Sequence, residues 1–314
     1  MAANDISLQA YGDYVQSANT LFNFMTEFGF LQNILYKKAI VPRYCIENMD
    51  YLNVKLGAKK FTDIAILQKC FCDIPLHKLA ETFNVSGTGD SFNSLSIEDK
   101  FKIQHDNTHF DFYGKFAIGF SKQWSEQKRL QPIHYLNIES TFTEQFKQVF
   151  NEALNSDELP DVYSDDIVQR LAFIKPLRGL MQRKFRQQDG SDISVEIQKN
   201  FHDECEWRYV PDSATLSAVQ LESIIANTNI IENFELREKI NKSLETEQYS
   251  SLWLRFEYDD IRYIIVPDNY YRIKLIQAIK KIPNQMFSKT KNISLQKQIM
   301  ISKILVLEEI RRDW

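Results

Sequence analysis

Apolar residues recur along this chain in two periods, and the change from one to the other marks its elements. The stretch LFNFMTEFGFLQNIL at 21–35 suits first a short strand and then a helix, with Thr26 or Glu27 near the turn. Pro42 should end that helix at or before Val41 and send the chain out extended. ILQKCFCDIPL at 66–76 is β-rich up to Pro75. FYGKFAIGFSKQW at 112–124 reads as a strand with glycines at two close approaches, and PIHYLNI at 132–138 as another. Helices are predicted at about 140–154 and 164–174. FHDECEWRYV at 201–210 reads as a strand. LSAVQLESIIANT and IENFELREKINKSLE give helical spacing through 216–249. SLWLRFEYDDIRYIIVPD then holds two β-rich runs around Asp259 and Asp260, a hairpin pattern, before helices at about 268–282 and 293–312.

NVSGTGDSFNSLSIEDK at 84–100 concentrates glycine and serine and predicts a mobile, lid-like loop leading into a polar helix. With no internal repeat and no clear linker, the pattern predicts one α+β domain over 1–314, with helical decoration at about 216–249 and 268–312.

Composition narrows the function classes only a little. A net charge of -4 over 314 residues gives no global basic field of the kind that drives nonspecific nucleic-acid binding. The four cysteines form no disulfide framework, which fits a reducing compartment. No basic-then-apolar leader and no run of eighteen apolar residues occur, so a cytoplasmic protein without a membrane segment is expected.

The candidate chemistry centres on 201–210. In an extended strand Glu204, Glu206 and Arg208 share one face while Cys205, Trp207 and Tyr209 share the other. That charged face is either a solvated one, with Arg208 partly neutralising its neighbours, or a pair of carboxylates that stabilises developing positive charge on a sugar. Tyr113, before Gly114, is either strand filler or a platform for a flat ligand ring. Lys175, Arg178, Arg183, Lys184 and Arg186 read as a solvated helix face or as a phosphate-binding set. No metal is expected: Cys70, Cys72 and His77 lack a fourth ligand, and the HDNTH around His105 and His109 lacks the zincin glutamate. SGTGDS lacks the lysine of a phosphate loop, and no Gly-x-Ser-x-Gly elbow occurs.

Taken in order, LFNFMTEFGFLQNIL, IVPRYCIEN, FCDIPL, YGKFAIGFSKQW, PIHYL, FIKPLRG, ECEWRYVP and IRYIIVPD resemble the AbiGi family of abortive phage-resistance proteins, commonly labelled antitoxins, over about residues 20–270. The resemblance implies bacterial phage defence with an operon-encoded toxin or antitoxin partner. A more distant similarity is to ADP-ribosyltransferases, including the DarT-like toxins. It implies an ADP-ribosyltransferase-like split β-sheet core with helical insertions and C-terminal helices, NAD as substrate, and an RNA, DNA or protein acceptor.

On that similarity Asn23 would hold the NAD ribose, Tyr113 would pack on nicotinamide, Glu206 would act on the ribose, and Glu204 would prepare the acceptor. Asn23 departs from the pattern, standing in LFNF where LFHF is usual; Ala39 stands where a turn glycine is expected. An NAD-dependent transferase and a non-catalytic antitoxin that neutralises a toxin both remain open. For the transferase, Glu206→Gln is expected to abolish activity and leave folding nearly intact.

Overall fold

The predicted strand-to-helix start of the chain lies at the centre of the main sheet. The computed structural model describes residues 17–83, 85–156, 167–187 and 190–313. Strand β1 (Thr20–Met25) is buried along most of its length, and α1 (Phe28–Lys37) buries Leu31, Ile34 and Leu35 before Lys38 turns it off in the left-handed conformation. After β2 (Ala39–Ile40), Pro42 holds the chain extended into β3 (Arg43–Asn48), as the sequence predicts. A small hairpin, β4 (Lys55–Leu56) and β5 (Lys59–Lys60), leads to the ten-residue β6 (Asp63–Cys72).

Where glycine and serine predict a mobile loop, the chain instead forms β7 (Val85–Thr88) and α2 (Gly89–Asn93), and the polar helix expected after it is α3 (Ile97–His105). The glycines there serve packing: a Cβ on Gly87 would lie 2.0 Å from the Phe92 ring, and Gly89 turns at φ +79. Next come α4 (His109–Tyr113), β8 (Phe116–Ser121) and α5 (Lys122–Gln127). Tyr113 thus closes a helix rather than opening a strand. Gly114, at φ +112, makes the bend, and a Cβ there would lie 2.2 Å from the Met25 carbonyl.

β9 (Gln131–Pro132), β10 (His134–Leu136) and α6 (Thr141–Leu154) follow. Of the helix predicted at 164–174, residues 164–166 lie outside the described residues; 167–170 are helical and Leu171–Phe173 is a 3₁₀ turn. The basic stretch expected as a helix face is extended, as β11 (Ile174–Pro176) and β12 (Arg178–Arg186), which pairs with β13 (Asp192–Asn200). The predicted 201–210 strand starts late: Phe201–Glu204 is a 3₁₀ turn, Cys205 is left-handed at φ 44, and only β14 (Glu206–Tyr209) is extended.

The 216–249 region is mainly helical, with α7 (Ser213–Ala218), β15 (Ile224–Ile225), α8 (Thr228–Glu232) and α9 (Phe234–Ser243). The hairpin expected around Asp259 does not form. β16 (Leu254–Arg255) pairs with β2, and a 3₁₀ turn at Tyr258–Asp260 carries the chain to β17 (Ile261–Val266) in the main sheet. α10 (Asn269–Lys281) agrees with prediction. The last predicted helix is split into α11 (Ile293–Ser302), β18 (Ile304–Val306) and α12 (Leu307–Asp313), because Ile304 and Val306 bury themselves at the sheet edge.

These elements make an α+β architecture. The main sheet runs β18-β17-β8-β1-β6-β14-β9, with β3 and β15 also pairing along β6; β17–β18 is its parallel pair and the remaining ladders are antiparallel. A second, three-stranded sheet runs β12-β13-β7. One core packs α1, α10 and α11 on one face of the main sheet, and a smaller one containing Phe22, Cys72, Ile74 and Phe110 fills the other. β1 pairs with β8 over six residues but with β6 only at Phe22↔Cys72. β14 runs along the other edge of β6, so with a single pair between β1 and β6 the sheet parts there.

Candidate functional site

Glu206 sits opposite Cys72 and Arg208 opposite Cys70, so strand alternation puts both side chains on the Cys70–Cys72 face. They are buried there, Glu206 at 4% and Arg208 at 0% exposure, which excludes the solvated alternative for that charged face. Arg208 Nε lies 2.7 Å from Glu206 Oε1, its second amino group donates to Glu47 Oε1 at 2.9 Å, and its first donates to the Ala172 carbonyl at 2.8 Å. Although Glu204 is not in the strand, the left-handed Cys205 returns it to the same compartment. Lys175 reaches both carboxylates, at 2.8 Å from Glu204 and 3.3 Å from Glu206. Lys199 lies 2.8 Å from Glu204 Oε1 and also donates to the Tyr113 hydroxyl, which in turn donates to Glu204. The rings of Phe83, Phe112 and Tyr113 surround the Lys199 ammonium at 3.9, 4.3 and 4.7 Å.

Three carboxylates, Glu47, Glu204 and Glu206, thus meet three cations, Lys175, Lys199 and Arg208. Burial opposes ionisation of both strand-end glutamates, yet Arg208 and Lys175 outweigh it at Glu206, and Lys175 and Lys199 outweigh it at Glu204. Both carboxyls are held below their ordinary range. Burial pulls the Lys199 ammonium down despite Glu204. Each ion has a partner in hydrogen-bonding reach, as charges out of water require.

Of the residues singled out from sequence, Tyr113, Glu204 and Glu206 come together. Asn23 does not join them. It lies next to Phe22 on β1 and so faces the other side of the sheet, where its amide donates to the Cys70 carbonyl at 2.8 Å across the parting strands. Its buried Oδ1 has no hydrogen-bond partner among the described residues. Lys175 and Lys199 were missed as partners of the glutamates. A signal for Lys199 was present: in VEIQK it continues the inward stripe of Val195 and Ile197, both fully buried. His109, which the sequence raises only as a possible metal ligand, lies beside the cluster. It is buried against Phe83, with ring centroids 4.2 Å apart, and neither ring nitrogen has a hydrogen-bond partner among the described residues. Burial first, and then the Lys199 charge, lowers its pKa to about 3, so it is neutral.

Where β1 and β6 part, a cleft of about 430 Å³ opens, lined among others by Phe24, Thr26, Phe30, Lys69, Tyr113 and Phe234. Tyr113 connects the two places, its hydroxyl in the ion cluster and its side chain at the cleft wall. Among the described residues no group of three or more His, Cys, Asp or Glu is placed to hold a metal, and no helix is long and apolar enough to cross a membrane.

Residues 96–267 match the family model described as "abortive phage resistance protein AbiGi, antitoxin". A curated relative, the abortive phage resistance protein AbiGi of Lactococcus lactis subsp. cremoris, is 34% identical over 283 residues, covering 88% of this chain and 100% of that protein. No solved structure matches. A relative matched over its whole length, together with a family model that spans the β11, β13 and β14 elements of the ion cluster, establishes that the chain belongs to the AbiGi family of abortive phage resistance proteins.

Proposed function

We propose that this chain acts in bacterial abortive phage resistance as the binding half of a toxin–antitoxin pair, neutralising an operon-encoded toxin in the cytoplasm. The observation that carries this reading is the charge balance around Glu204 and Glu206. Both carboxylates are occupied by buried cations, as in a structural ion cluster, and Asn23 faces away from them. The test is co-expression with the toxin encoded beside this chain. Rescue of growth and co-purification of the two proteins are expected, and this chain expressed alone should be harmless. Growth arrest by this chain alone, relieved by its neighbour, would reverse the assignment.

A second reading is favoured by the parting of β1 and β6 beside Tyr113: an ADP-ribosyltransferase-like split sheet that transfers ADP-ribose from NAD to RNA, DNA or protein. Nicotinamide would leave with the electrons of the glycosidic bond. Glu206 would face the oxocarbenium-like ribose, Glu204 would take the acceptor's proton and Tyr113 would pack on nicotinamide, while Asn23, on the other side of the sheet, would take no part in holding that ribose. Catalysis would require Glu206 to exchange Arg208 and Lys175 for substrate. Labelled NAD incubated with the purified chain and infected-cell lysate tests this: label in a macromolecular fraction, or nicotinamide release, would favour the transferase over the antitoxin.

A further inference from the structure

We infer that the cleft between β1 and β6 is a binding site for a small phosphate-bearing aromatic ligand, in its simplest form a nucleoside monophosphate, with Lys69 as the cation that holds the phosphate. The inference concerns occupancy of the cleft and does not depend on whether the glutamates turn anything over.

Three cationic residues line the cleft. Arg43 is engaged by Glu238 at 2.6 Å and Glu245 at 3.8 Å; Lys37 donates to the Glu245 carbonyl at 2.8 Å and lies over the Trp253 ring. Lys69 differs. It faces Tyr209 across the β6–β14 ladder, and its ammonium makes no ion pair or hydrogen bond among the described residues. Burial pulls its pKa below the ordinary lysine range, with Arg43 adding to the effect and Cys45, Cys70 and Glu245 opposing it. An anion in the cleft would supply the missing counter-charge.

Two further features suit such a ligand. The first turn of α1 opens onto the same cleft through Thr26, Glu27 and Phe30, and no side chain caps its first N–H groups, although the Glu27 carboxylate stands at the same end. Phe30 and Phe234 stand 40% and 61% exposed among the lining residues, with Phe24 and Tyr113 also in the wall, so a flat ring would find aromatic surface. The volume lies in the range of small-molecule sites.

The experiment is equilibrium dialysis of AMP, adenosine and inorganic phosphate against the purified full chain, Lys69→Met and Lys69→Arg, with the melting temperature of each variant recorded. AMP should bind wild type at least tenfold more tightly than adenosine, Lys69→Met should lose at least tenfold for AMP, and Lys69→Arg should retain most of it. Because no partner is removed, Lys69→Met should melt at or above the wild-type temperature. Equal binding of AMP by wild type and Lys69→Met, equal binding of AMP and adenosine, or no AMP binding at all would each overturn the inference. The assay contains no toxin, so a failed rescue in co-expression leaves this result unaffected.

Discussion

Lys199 Nζ sits 2.8 Å from Glu204 Oε1, inside a ring of three aromatic side chains, and both partners are buried. This contact joins the three-stranded sheet, through β13, to the turn that feeds β14. Removing one member of a buried pair strands the other, which costs on the order of 3–5 kcal/mol. Lys199→Met should therefore lower unfolding free energy in urea by roughly that amount. A loss under about 1 kcal/mol, the range of exposed pairs, would contradict the geometry.

Glu206→Gln is not the quiet substitution that the sequence suggests. Arg208 is fully buried and depends on Glu206 and Glu47 for its charge. The variant should lose on the order of 3 kcal/mol, and a cycle with Arg208→Met should give a coupling energy above about 1 kcal/mol. Additive losses would mean that the two side chains do not share the compartment in solution.

Acid should unfold the protein by two routes with the same sign. Glu204 and Glu206 have carboxyls depressed in the fold, so their stabilisation is present above the unfolded carboxyl pKa and is lost as pH falls below it. His109 falls from 6.5 to about 3 in the fold; between those values the unfolded chain binds the extra proton, so stability drops as pH decreases. His109→Phe, a ring for a ring beside Phe83, should flatten the stability profile between about pH 6.5 and 3 and leave neutral-pH stability equal or higher. An unchanged slope would show that His109 is hydrated and free to titrate.

Gly114→Ala should be among the most damaging single substitutions in the chain. The backbone there is at φ +112, and a methyl group would meet the Met25 carbonyl carbon and oxygen at 2.2 Å. Loss of soluble expression, or a melting temperature lower by many degrees, is expected. Gly190→Ala, also at positive φ but with open space around it, serves as the milder comparison.

The sequence made local elements legible where one period ran without interruption. β1, α1, β6 and α10 lie close to where apolar spacing predicts them, because the two strands are buried within the main sheet and the two helices bury an apolar face against it. What it concealed were reversals set by tertiary contact. Gly87 looks like loop material until Phe92 packs against it, and Tyr113 looks like strand until Gly114 bends the chain. At the site, alternation along one strand predicts that Glu204 and Glu206 share a face, but they meet because left-handed Cys205 turns Glu204 back from outside the strand. Their burial could not be read from spacing, because it depends on chain reversals that bring in Lys175 of β11, 29 residues from Glu204, and fold Lys199 of β13, five residues away, back onto it.

The ion cluster has a consequence for inheritance. Glu47, Lys175, Lys199, Glu204, Glu206 and Arg208 come from separate segments but share one dry compartment, so a change of charge at one position is tolerated only with a matching change at another. Across divergent members of the lineage these six positions should therefore change together, as a single heritable character, and a relative that lacks one charge should lack its opposite as well.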